Sequence, residues 1–173
     1  SIHNSHIIVD REKMSIALFI DDSDHYQDAI GGKLNYHPAF LKMNINSGKY
    51  ISAFDMAELI KMNRSFFETH ADAAVLVSAL KNLKAKVNQN IEKADNNRGD
   101  RNQIFQQTVE SNVPAKFNLL IPIFKGQAKQ LFEVEVYFKP EDMSCTLVSP
   151  SANDIAVSVT DTIIDEQITA IKE

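Results

Sequence analysis

Four groups of residues in this sequence are of types that could do chemistry. The densest is Asp21, Asp22, Asp24 and Asp28, with His25 among them. Carboxylates crowded at the end of a strand can hold Mg²⁺, because hard oxygen ligands suit a hard cation, and two such ions support phosphoryl-transfer and nuclease chemistry. Asp22 and Asp24 are the residues such an enzyme would use. The spacing is not that of an EF-hand, because counting from Asp22 puts Gln27 where glycine is needed and Lys33 where glutamate is needed. A solvated acidic loop is the plainer reading.

The histidines are His3, His6, His25, His37 and His70, and no two stand four apart as a helical zinc pair requires. They read as surface or capping residues. Cys145 is the one cysteine, so neither an intramolecular disulfide nor a cysteine-based zinc site is available. It falls mid-strand on the face of Met143 and Leu147, which is the setting of a small buried residue and not of an activated thiol.

The fourth group is basic: Lys81, Lys84, Lys86, Lys93, Arg98 and Arg101. Set against Glu92, Asp95 and Asp100, these leave a local balance of +3 in a chain whose net charge is −5. A helix and turn of that kind could contact phosphates in a salt-sensitive way. No aromatic residue interleaves the charges as a single-strand binder would want, so the wet face of an amphipathic helix is the rival reading. No phosphate-cradling loop, nucleophile elbow or Cys-x-x-Cys pair occurs, and no cofactor is expected.

The elements that must carry these residues follow from periodicity. His6 to Asp10 and Met14 to Ile20 read as strands joined by a turn at Asp10 to Lys13, with Ile16, Leu18 and Ile20 alternating in the second. Lys33 to His37 and Leu41 to Asn46 read as two further short strands. Ser52 followed by Asp55 resembles a helix cap, which predicts a helix over Ala53 to Phe67. A longer helix over Asp72 to Ala94 carries Leu76, Leu80, Leu83, Val87 and Ile91 on one stripe. Arg101 to Ser111 reads as a strand. A hairpin from Lys116 to Phe138 is the strongest signal. Phe117, Leu119, Ile121 and Ile123 share one face of its first strand, and Phe132, Val134, Val136 and Phe138 share one face of the return. Glu133 and Glu135 point the other way. A strand at Met143 to Val148 ends at Pro150, and Ser151 to Lys172 closes the chain as a helix. Helices and strands are segregated, which predicts an α+β fold: a mainly antiparallel sheet of about six or seven strands, two central helices and one C-terminal helix.

A chain of 173 residues fits a single domain. The absence of an initial Met leaves room for it to be the C-terminal portion of a longer chain. No apolar run is long enough to span a bilayer, so no membrane partner is expected, and the lack of disulfides fits a cytoplasmic setting. The closing helix sets Asp154, Asp161, Asp165, Glu166 and Glu173 against Lys172 alone. Its apolar residues extend to Ile164 and Ile168, off the main stripe, which suits burial on two sides and a protein partner or second copy of the chain.

Several segments resemble the YfdQ-type phage and prophage proteins: Val113-Pro114-Ala115-Lys116-Phe117, Ile121-Pro122-Ile123-Phe124-Lys125-Gly126 and Asn153-Asp154-Ile155, with weaker echoes at Asn35-Tyr36-His37 and Phe66-Phe67-Glu68. Two features depart from that family. The return strand carries Tyr137-Phe138-Lys139 where an arginine-rich stretch is expected, and there is no Trp. The resemblance implies a phage context and brings no catalytic residues with it. The expected function is that of a phage- or prophage-derived accessory protein that binds a protein partner or itself. Nucleic-acid binding through residues 81–101 is the alternative, and a Mg²⁺ enzyme built on the aspartates comes after it.

Overall fold

A computed structural model describes residues 5–20, 28–94 and 100–172. In chain order the elements are β1 (His6–Asp10), β2 (Ser15–Ile20), β3 (Asp28–Lys33), α1 (Pro38–Lys42), β4 (Ile51–Ser52), α2 (Ala53–Met62), a 3₁₀ turn at Arg64–Phe66, α3 (His70–Lys93), α4 (Arg101–Asn112), β5 (Lys116–Ile121), β6 (Gln130–Lys139), β7 (Ser144–Val148) and α5 (Pro150–Lys172). The α+β class and the antiparallel pairing are as the sequence implies. Among the described residues seven strands form two sheets, a three-stranded one ordered β1-β2-β3 and a four-stranded one ordered β4-β7-β6-β5.

The hairpin of β5 and β6 is the frame of the larger sheet. Phe117 faces Val134 and Leu119 faces Phe132, and all four are buried. Lys116 sits on the opposite face, with Nζ 3.1 Å from Glu133 and 3.8 Å from Glu135. Such exposed pairs add little stability, so burial of the inner face is what holds the hairpin. Gly126, at φ +80°, supplies the left-handed turn residue between the strands. Helices α2 and α3 bring Met56, Ala57, Ile60, Leu76, Leu80 and Leu83 into the same core. Ser52 caps α2 by accepting from the Asp55 N–H at 3.0 Å, and Thr69 caps α3 by accepting from Asp72 N–H at 3.2 Å.

Three expected strands are not strands. Leu41 to Asn46 holds the end of α1 and a turn. Pro38 starts α1 behind His37, whose Nδ1 accepts from the Ala39 N–H, and Asn44 and Asn46 take left-handed φ angles of 52° and 58°. The alternation of Leu41, Met43 and Ile45 was misleading, because Leu41 is 57% exposed while the other two are buried. Arg101 to Ser111 is helical. Asp100 caps it through a bond from the Asn102 N–H, and its buried residues, Phe105 and Thr108, are three apart. Strand β3 ends at Lys33, where a strand was expected to begin. Residues 34–37 instead cross to the larger sheet through a Tyr36–Phe124 bridge.

Candidate functional site

The acidic cluster largely falls outside the described residues. Asp21, Asp22, Asp24 and His25 are not among them, and Asp28 opens β3. Among the described residues no three His, Cys, Asp or Glu side chains gather as a metal site, and no helix is long and apolar enough to cross a membrane. His37 is a helix cap, as its isolation suggested. Cys145 is fully buried in β7, and burial pushes its thiol up to about 12. A native sample at pH 8 should therefore resist thiol-specific disulfide reagents, and labelling should become fast in denaturant. Fast labelling of the folded protein would show that β7 is not sealed.

The basic residues do not form one face. Lys81 and Lys86 are five residues apart, a turn of about 140° round an α-helix. Lys86 donates to Asn112 Oδ1 of α4 at 2.8 Å, so that flank of α3 borders α4, and Lys93 follows it at the helix end. Lys81 lies on the flank toward α2, 2.9 Å from Glu58, with Lys84 exposed about 60° away round the helix. Arg101 is exposed at the start of α4, and Arg98 lies outside the described residues.

On the α2 side, however, the structure adds residues that sequence reading left out. Helices α2 and α3 run antiparallel, so Glu58 meets Lys81 while Arg64, further along, shares a cavity with His70. That cavity, of about 640 Å³, is lined by Lys61, Arg64, His70, Ser78, Lys81 and Asn82 over a floor of Ala73, Ala74 and Val77. Small floor residues keep the two helices' long side chains at the rims. Phe54, one helical repeat before Lys61, is 59% exposed, and Lys81 Nζ stands 5.8 Å from its ring centre. The seven-residue spacing of Phe54 and Lys61 was the available signal. The bond from Lys81 holds the Glu58 carboxyl below its ordinary range, and the charge of Lys61 adds to this.

The second candidate surface is the three-stranded sheet. None of its described residues with an assigned exposure is fully buried, and Ile8, Ile20 and Ile30 are 50%, 39% and 64% exposed. Arg11, in the turn after β1, binds Asp161 and Asp165 of α5. Between sheet and helix lies an apolar groove of about 490 Å³, lined by Ile16, Leu18 and Ile30 on one side and Ile163, Ile164 and Ile171 on the other.

The two sheets treat their edges differently. The outer edge of β5 is closed by the Phe67–Leu119 bridge and a bond from the Glu68 N–H to the Asn118 carbonyl. At the other edge, β4 is two residues long. Beyond it, Asn46 N–H bonds to the Leu147 carbonyl of β7. The outer edges of β1 and β3 have no strand beside them among the described residues. Comparison with protein-family models, with curated proteins and with solved structures returned no match to the chain.

Proposed function

We propose that the chain is a self-associating accessory module, not an enzyme, and that two copies join through the outer edge of β3. The open β3 edge carries this reading. An unpaired strand edge presents alternating N–H and C=O groups that a second strand satisfies, and proteins that stay monomeric blunt such edges. The larger sheet has its edges blunted and the smaller one does not. Phage or prophage origin rests on the resemblance of residues 113–126 and 153–155 alone.

The sequence of β3 favours its edge over that of β1. Gly31 and Gly32 have no positive φ to explain them, and an added Cβ would meet nothing nearer than 3.7 Å. Glycine in a strand without an internal reason suits the close approach of another backbone. Antiparallel pairing of β3 with its own copy about Gly31 sets Gly31 opposite Gly31 and Ile30 opposite Gly32, once on each side of the two-fold axis. The product is a six-stranded sheet, three strands from each copy, that also covers Ile30.

Light scattering over a concentration series tests this. A dimer mass is expected at high concentration. Ile30→Asp sets two carboxylates at diagonal positions across the axis, where like charges destabilise, so it should weaken the dimer by about tenfold. Ile30→Val, which keeps the apolar contact, should dimerise as the parent does. A strict monomer at every concentration would sink the proposal, and a dimer unchanged by Ile30→Asp would sink the register.

A further inference from the structure

The α2–α3 cavity is a site of a different kind, and it does not depend on self-association. Its rims hold Lys61, Arg64 and Lys81 with His70, and no carboxylate is among the residues lining it. Glu58, just outside, neutralises Lys81 in part. Lys61 and Arg64 make no ion pair among the described residues. His70 and Lys81 are eleven residues apart on α3, or about 16 Å along the helix. That is too far for one phosphate group and suits successive phosphates of a chain. At the Lys81 end stands Phe54, an exposed aromatic ring that the core does not use.

We infer that this groove binds the sugar–phosphate backbone of a single-stranded nucleic acid, with Phe54 stacking on a base at one end. A cationic trough with an aromatic platform is the arrangement that binds single strands without reading sequence. Duplex is disfavoured, because its bases are stacked away from Phe54 and the net charge of −5 repels a dense phosphate surface. The opposite flank of α3, with Lys86 tied to Asn112, takes no part.

Fluorescence anisotropy of the full chain with a labelled oligothymidine tests the assignment. Three cations in contact predict a slope of about −2 in log affinity against log salt, from roughly −0.7 for each phosphate neutralised. The double variant Lys61→Glu with Arg64→Glu should lose more than tenfold in affinity at low salt. Both residues are exposed, so its thermal melt should match the parent. Phe54→Ala should lose about tenfold for the oligonucleotide and nothing for inorganic polyphosphate, which has no bases to stack. Lys86→Glu with Lys93→Glu should retain binding to within about twofold. The site is overturned if the parent fails to bind at low salt, or if the Lys86 and Lys93 variant loses as much as the Lys61 and Arg64 variant. An unchanged oligonucleotide affinity in Phe54→Ala would overturn the stacking and leave a site for phosphate alone. The Ile30→Asp variant should bind as the parent does, so failure of the dimer and failure of the groove can be told apart.

Discussion

Truncating Phe124 to alanine should lower the thermal midpoint by about 10 °C and free the three-stranded sheet from the rest of the protein. Phe124 is 1% exposed. Its ring stacks on Tyr36 with centroids 4.9 Å apart, and Tyr36 in turn stacks on Phe40 at 5.4 Å. Backbone bonds flank the stack: the His37 N–H donates to Ile123 O at 2.7 Å, and the Lys125 N–H to Asn35 O at 2.9 Å. This is the joint through which the end of β3 reaches the larger sheet. Removing a buried phenyl ring costs about 3–5 kcal/mol, transfer and cavity together. At about 2–4 °C per kcal/mol for a chain of this size, that is the shift named. Phe124→Leu refills most of the volume and loses mainly the stacking, so it should cost nearer 1–2 kcal/mol. The joint also predicts where damage appears. Limited proteolysis of Phe124→Ala should cut first near residues 34–36, and the variant should self-associate less well. A melt within 2 °C of the parent would mean that the joint is not the packed contact described.

How much of this was legible beforehand depended on how far each signal was local. The β5–β6 hairpin was readable because its alternation continues for six paired positions and its inner face is uniformly large and apolar. Helices α2 and α3 were readable from Ser52 and from a five-residue leucine-rich stripe. Helix α4 was not, because the span read as a strand has an irregular apolar pattern. Its cap at Asp100 and the Ile104–Thr108 and Phe105–Val109 spacings were the signals that favoured a helix. The strand reading of Leu41 to Asn46 failed for the opposite reason. Three apolar residues at alternate positions imitated a face, while two asparagines that tolerate left-handed φ argued for a turn. Pro150 was read as the end of a strand, and it is also the first residue of α5, where its fixed φ is already helical. The groove was missed because its parts come from two helices. Phe54, Lys61 and Arg64 lie some twenty residues before the basic stretch, and only the antiparallel fold of α2 on α3 brings them to Lys81. The aromatic residue whose absence weighed against nucleic acid was present on the neighbouring helix.

The edge of β3 and the groove use opposite ends of one physical rule, that a polar group taken from water needs a partner. The same rule gives the other large effect, at the junction of β7 and α5. Ser149 is fully buried, and both its backbone groups are served by one side chain. Asn46 Oδ1 accepts from the Ser149 N–H at 2.8 Å, and Asn46 Nδ2 donates to the Ser149 carbonyl at 2.9 Å. The Ser149 hydroxyl donates to the Glu133 carbonyl and accepts from the Ala152 N–H at 3.1 Å, capping α5. Asn46 can do this because it sits at φ +58°, which aspartate and asparagine accept more readily than other non-glycine residues. Asn46→Ala removes both bonds, leaves the buried Ser149 N–H without a partner and its carbonyl with the Asn153 N–H alone at 3.3 Å, and keeps a side chain at a left-handed φ. The unsatisfied N–H costs roughly 1–3 kcal/mol, the lost bond to the carbonyl about 1 and the backbone about 1–2 more, so a loss of about 4 kcal/mol is expected in denaturant titration. Asn46→Gly removes the same bonds without the backbone term, and should be the more stable of the two by about 1 kcal/mol. Because the junction sets the first turn of α5, both variants should loosen the helix that carries Asp161 and Asp165, and with it the salt bridges to Arg11. Equal stability of the alanine and glycine variants would remove the backbone contribution. A loss below 1 kcal/mol in both would mean that the bonds to Ser149 do not hold the junction.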